Sequence, residues 1–147
     1  FDIDLLARRL ADSIDWLAGT AETRGLQVGL FGASTGGGAA LVAAAQRPDV
    51  GAVVSRGGRP DLAGPVLGQV RTPTLLIVGG ADRPVIELNQ DAYAQLSQLQ
   101  PDTEKRLVII PGASHLFEEP GTLEEVARLA GEWFTQHLRR KDEQRAA

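Results

Sequence analysis

The stretch Val28-Gly29-Leu30-Phe31-Gly32-Ala33-Ser34-Thr35-Gly36-Gly37-Gly38 decides how the chain is read. A short apolar run breaks into glycines around one serine and resumes as an alanine-rich segment, the pattern of a strand, a sharp turn and a helix. Within it, Gly32-Ala33-Ser34-Thr35-Gly36 fits G-x-S-x-G, where a strained turn lifts a serine hydroxyl above a sheet edge and small residues let strand and helix approach closely. Ser34 is therefore the candidate nucleophile. The competing reading is a glycine-rich loop that binds anions through backbone N–H groups at a helix N-terminus. The stretch does not follow G-x-G-x-x-G, however, and no Lys follows it as a Walker loop requires.

Outward from this turn, strands and helices alternate. Asp2 or Asp4 caps a helix carrying Ile3, Leu6, Leu10, Ile14 and Leu17 at helical spacing, and Gly19 stops it. Residues 26–31 form a continuous apolar run suited to a strand buried on both faces. Residues 36–46 read as a helix so rich in Gly and Ala that it has to pack tightly, and Pro48 forbids its continuation. Three further strands are predicted over 50–55, 72–78 and 107–110, with a loop at 56–60 and a short helix from Asp61. Pro84 opens a helix bearing Ile86, Leu88, Ala92, Leu96 and Leu99. Thr122-x-x-Glu125 reads as a capping box for a last helix, whose apolar face holds Leu123, Val126, Leu129, Ala130, Trp133, Phe134 and His137. The expectation is an α/β domain over 1–138, a three-layer αβα arrangement with a mainly parallel sheet of about four strands, and a charged, frayed tail over 139–147.

Composition narrows the function. At 147 residues and 43% hydrophobic, the chain is long enough for a real core. A net charge of −4 with no basic cluster before the C-terminal end argues against nucleic acid, whose phosphates demand a basic face. Small molecules are the expected partners. With no cysteine there is no thiolate chemistry and no cysteine-ligated metal, and two histidines make a multi-His metal site a poor expectation. The longest apolar run, 39–45, is too short to cross a bilayer, and no signal-peptide pattern opens the chain, so the expected location is the cytoplasm, without membrane contact. The chain starts at Phe1 and contains no methionine, which reads as a piece of something longer.

In open parallel sheets ligands bind beyond the carboxyl ends of the strands, and Ser34, Arg56, Asp82 and His115 all fall there. A serine hydroxyl needs a base to take its proton, and that base needs an acid to fix its tautomer and stabilise its charged form. His115 and Asp82 supply these, in the chain order Ser, Asp, His, which differs from the chymotrypsin and subtilisin orders.

Gly32-Ala33-Ser34-Thr35-Gly36, Gly79-Gly80-Ala81-Asp82 and Gly112-Ala113-Ser114-His115 resemble the nucleophile, acid and histidine turns of dienelactone-hydrolase-like members of the α/β-hydrolase superfamily. Ser55-Arg56-Gly57-Gly58-Arg59-Pro60-Asp61 and Leu116-Phe117-Glu118-Glu119-Pro120 are similar to bacterial hydrolase domains often fused to phosphoribosyltransferase domains. The resemblance implies hydrolysis of a small carboxylic ester or lactone through an acyl-enzyme, with no metal or organic cofactor. Dienelactone hydrolases proper commonly carry a cysteine nucleophile, whereas this chain has Ser34. The family fold has eight strands, and the four here correspond to its last four. One oxyanion donor falls on the Thr35 amide; the other normally comes from a loop after an earlier strand, which no residue here matches.

Other residues have plainer readings. Arg56 and Arg59 stand where a substrate carboxylate could bind, but an arginine near Asp61 more often fixes its own loop, and neither is assigned to the site. Glu118 and Glu119 are alternative acid partners for His115, or simply charge near a helix start. His137 suits the C-terminal end of its helix, and Trp16, Trp133 and Phe134 read as core or covering residues. The rival to an enzyme is a non-catalytic half-domain that assembles with a partner. Because the family strand order makes 26–31 an edge, a homo-oligomer or an N-terminal companion segment is expected to cover it.

Overall fold

The computed structural model describes residues 2–139. The charged tail expected over 139–147 lies, from residue 140 on, outside the described residues, as does Phe1. Arg139 itself is held, its amide donating to the Gln27 side chain at 3.0 Å. The elements are α1 (Ile3–Gly19), β1 (Val28–Ala33), α2 (Thr35–Gln46), β2 (Val50–Arg56), a 3-10 segment (Pro60–Gln69), β3 (Thr74–Gly79), α3 (Arg83–Gln95), β4 (Lys105–Ile110) and α4 (Thr122–His137).

All four strands are parallel, in the order β1-β2-β3-β4, so each connection moves one strand across the sheet. Side chains on successive strand positions face opposite layers. On β2, Val53 joins a core with Ala7 and Ile14 of α1, Leu41 of α2, Leu67 of the 3-10 segment and Ala92 of α3, and Val50 joins it too because the alternation slips by one residue between the pairs Val28–Val50 and Gly29–Ala52. Ala52 and Val54 face the opposite way, into a core with Ile77, Ile110, Phe117 and the Val126, Leu129 and Trp133 side chains of α4. Three helices thus cover one face and a single helix covers the other. Burying each of the larger aliphatic side chains stabilises the fold by about 1.5–3 kcal/mol.

Local chemistry explains the boundaries. The Asp2 carboxylate accepts from the Leu5 amide at 2.9 Å and caps α1. The β1 strand begins two residues later than its apolar run and continues to Ala33, which brings the serine directly after it. The predicted capping box at Thr122 does not form: the cap of α4 is Gly121 at φ 81°, while the Thr122 hydroxyl donates to the Glu119 carbonyl at 2.8 Å and Glu125 pairs with Arg128. Helix α3 ends at Gln95, before Leu99, because Leu96 turns extended as its C-cap and Leu99 is left exposed. Leu123 and Trp16 are also exposed, Trp16 to 67%, so neither is a core residue.

Strand β1 is not buried on both faces as its composition suggests. It is the sheet edge, and Phe31 remains 51% exposed. Phe134 and Leu138 press on Gly29 near its start, and among the described residues that cover leaves Phe31 open. Among the described residues no helix is long and apolar enough to cross a membrane.

Candidate active site

The turn after β1 is built around an unusual backbone. Ser34 has φ 51° and ψ −125°, a region that residues with side chains rarely occupy, and α2 starts at the next residue. A Cβ on Gly32 would overlap the Gly36 carbonyl oxygen, so strand and helix meet there backbone to backbone. Gly37 and Gly38 are crowded in the same way, against Ser55 and the Arg59 carbonyl. As the first residue of α2, Thr35 has an amide with no acceptor inside the helix.

The four strand ends are then tied sideways. The Arg59 amide donates to the Ser34 carbonyl at 2.9 Å, and the Gly57 amide to the Ile77 carbonyl at 2.7 Å. The amides of Gly80 and Ala81 donate to the carbonyls of Ile110 and Ala113 at 2.7 and 3.0 Å. A Cβ on Gly79 would strike the Ala113 carbonyl, so glycine is needed where these two turns touch. Hydrogen bonds thus run from the serine turn to the histidine turn across the carboxyl edge of the sheet.

Asp82 is the N-cap position of α3, and Pro84 lies in the first turn with its fixed φ suited to a helix start. Its Oδ2 lies 2.7 Å from Nδ1 of His115. With Nδ1 donating to that carboxylate, Nε2 is the basic atom of the ring. The histidine side chain is 43% exposed and the aspartate 13%, so the carboxylate is shielded while the ring is open to solvent. The ring rests over Gly57, whose Cβ would come 3.4 Å from Nδ1. The structure therefore brings Asp82 and His115 into contact and places Ser34 at the same edge, joined to them through residues 57–59. Among the described residues no hydrogen bond links the Ser34 hydroxyl to the ring; such bonds commonly tighten only around substrate.

Neither alternative acid partners His115. Glu119 accepts from the Ser114 amide at 2.8 Å and the Ser114 hydroxyl at 3.2 Å, and these bonds, the amide first, pull its carboxyl below the ordinary value of 4.5. Glu118 is exposed. Arg59 forks onto Asp61 through bonds of 2.9 and 2.8 Å and fixes its own loop. The His137 ring packs against Trp133 at a tilt of 54° with centroids 4.4 Å apart, and its Nε2 lies 3.2 Å from Glu104 without hydrogen-bond alignment, far along the chain from the serine turn. Among the described residues no cluster of His, Cys, Asp or Glu could hold a metal.

One supporting residue carries no sequence signal beyond a polar type on an amphipathic helix. Asn89 of α3 is fully buried, and its Nδ2 donates to the Gly58 carbonyl at 3.0 Å and the Val85 carbonyl at 2.8 Å. It braces the 57–59 loop on which His115 rests. The contact spans 31 residues, so no local pattern in the sequence reveals it.

Comparison with known proteins gives the same architecture. The family described as PET hydrolase-like matches residues 13–145. A dienelactone hydrolase from Anabaena variabilis is 65% identical, superposes with a TM-score of 0.88, and is matched over 94% of this chain and 62% of its own. A Mycobacterium tuberculosis protein of strain H37Rv, named provisionally as a phosphoribosyl transferase, is 62% identical over 139 residues, 94% of this chain. The chain spans 30% of that relative's length. The esterase domain of a Rhodothermus marinus protein shares the fold, at 23% identity and a TM-score of 0.70 over 89% of this chain and 68% of its own.

Proposed function

Because the chain belongs to the PET hydrolase-like family and has an α/β-hydrolase fold, we propose that it hydrolyses a small carboxylic ester or lactone through a Ser-His-Asp triad. The observation that carries this reading is the 2.7 Å contact of Asp82 with His115 at the same sheet edge as a serine held at φ 51°. Ser34 Oγ attacks the acyl carbon and His115 Nε2 takes its proton. The tetrahedral intermediate collapses as His115 returns that proton to the leaving oxygen, which departs as an alcohol, or stays tethered when the substrate is a lactone. Water, deprotonated by the same ring, then releases the acid from Ser34. Asp82 holds the ring and stabilises its charged form, and the Thr35 amide donates to the oxyanion. A single donor gives slower turnover than a pair, by about 10²–10³-fold.

The second reading is a non-catalytic half-domain that assembles with a partner, favoured by the open β1 edge and the exposed Phe31. A serine-reactive fluorophosphonate followed by intact mass separates the two. On the enzyme reading the chain gains one adduct, Ser34→Ala abolishes it with an unchanged far-UV circular dichroism spectrum, and Asp82→Asn lowers turnover by about 10⁴-fold by holding the wrong tautomer. Labelling that survives Ser34→Ala removes the nucleophile from this reading.

A further inference from the structure

Asn89 follows Asp82 on α3 by about two helical turns and so shares its face of the helix. Asp82 occupies the N-cap, yet among the described residues its side chain makes no capping bond, because the carboxylate is committed to His115. The place of the acid therefore depends on what anchors α3 sideways. One such anchor is the Asn89 amide, whose Nδ2 ties its own helix, at the Val85 carbonyl, to the Gly58 carbonyl. Gly58 is the middle residue of a span whose two neighbours both touch the candidate site. The Arg59 amide donates to the Ser34 carbonyl at 2.9 Å, and Gly57, at φ 53°, supports the His115 ring. Gly58 itself has little room to turn, since a Cβ there would overlap the Ser55 hydroxyl, against which Gly37 of α2 is also packed.

The amide is a costly anchor. Asn89 is 0% exposed, and among the described residues its Oδ1 is buried with no hydrogen-bond partner. An unpaired buried oxygen costs free energy that an apolar side chain of similar size would not. A leucine would fill the same volume without the orphan. What leucine lacks is the donor that fixes the Gly58 carbonyl. We propose that Asn89 is a positioning residue: through Gly58 it locks α3, and with it Asp82, to residues 57–59, so that the serine turn and the His115–Asp82 pair keep one fixed relation. This rests on the serine-hydrolase reading. Asn89 touches none of the reacting atoms, so its loss slows reaction at Ser34 without weakening the binding of substrate.

The test is the rate at which the purified protein takes up a fluorophosphonate, followed by intact mass. In that reaction Ser34 Oγ bonds to phosphorus, fluoride leaves and His115 takes the hydroxyl proton. Asn89→Leu is expected to reach the parent's endpoint of a single adduct, with a second-order rate constant lower by about 10²-fold, the scale set by a misplacement of about 1 Å. With p-nitrophenyl acetate, kcat falls by a similar factor while KM is unchanged. A residue serving stability alone would lower the fraction of chains that react, not the rate constant of those that do. In an Asp82→Asn background, where the ring already holds the wrong tautomer, the further loss from Asn89→Leu shrinks; losses that combine in full overturn the coupling to the acid. An unchanged rate constant in Asn89→Leu, with the parent labelling at Ser34, overturns the positioning role and leaves the hydrolase reading standing. No labelling of the parent overturns both. If circular dichroism shows Asn89→Leu unfolded, Asn89→Ala takes its place, and failure of both to fold makes Asn89 a structural residue and overturns the proposal.

Discussion

Gly32 and Gly36 flank Ser34 symmetrically in the motif, yet the structure gives them different work. A Cβ at Gly32 meets the Gly36 carbonyl, whereas one at Gly36 meets nothing within 4 Å. Gly32→Ala is therefore expected to cost about 3 kcal/mol or more by overpacking backbone against backbone. Gly36→Ala is expected to be neutral or to stabilise by up to about 1 kcal/mol, because alanine loses less entropy in a helix. Urea denaturation of both variants checks this, and equal destabilisation would refute the distinction. At this scale the sequence was informative about place: Ser34, Asp82 and His115 follow the ends of β1, β3 and β4, as their turns predicted. It was silent wherever a role depends on what lies across the fold. Nothing in its neighbours tells Asn89 that its amide will reach Gly58, or tells Arg56 from Arg59 except the geometry that gives Asp61 to only one of them.

The turn between β4 and α4 shows how elements constrain one another. Glu119 closes it by accepting from Ser114, the residue before the histidine. Since these bonds favour the ionised form, the carboxyl is lowered in the folded state relative to the unfolded one. Its contribution to stability is accordingly complete above the unfolded value and is lost as pH falls through the lower folded one. Glu119→Gln is expected to lower the melting temperature at neutral pH, with the gap to the parent narrowing as the pH drops below 4.5. A gap that does not change with pH would assign the loss to packing instead. The same turn explains why the Thr122 capping signal misled: the pattern was present, but Thr122 lies inside the helix and its hydroxyl is taken by the Glu119 carbonyl. Helix and strand types were legible from periodicity, while their ends were set by such long-range or turn contacts.

At the scale of the molecule, the two sheet edges are unequal. Strand β4 opens with Lys105 and Arg106, charges that discourage pairing with another chain. Strand β1, Val28-Gly29-Leu30-Phe31-Gly32-Ala33, carries none, and an apolar groove of about 320 Å³ bounded by Leu6, Leu10, Leu30 and Phe31 runs beside it. The isolated chain is expected to pair along this edge, either with a second copy or with a companion segment. Light scattering on a size-exclusion column should then give a mass above 15.6 kDa, and Phe31→Lys should reduce it. A 15.6 kDa monomer with slow amide exchange over residues 28–33 would show that the edge is stable alone.

The sheet also runs across space in the order in which the chain runs along itself. A ribosome would release the serine turn first, the acid turn next and the histidine turn last, each strand docking on a neighbour that already exists. On the proposed roles, the hydroxyl of Ser34 has no base while the chain is still being made. On those same roles, reactivity arrives only with β4 and the turn after it, so the nascent chain would carry its nucleophile in a dormant form.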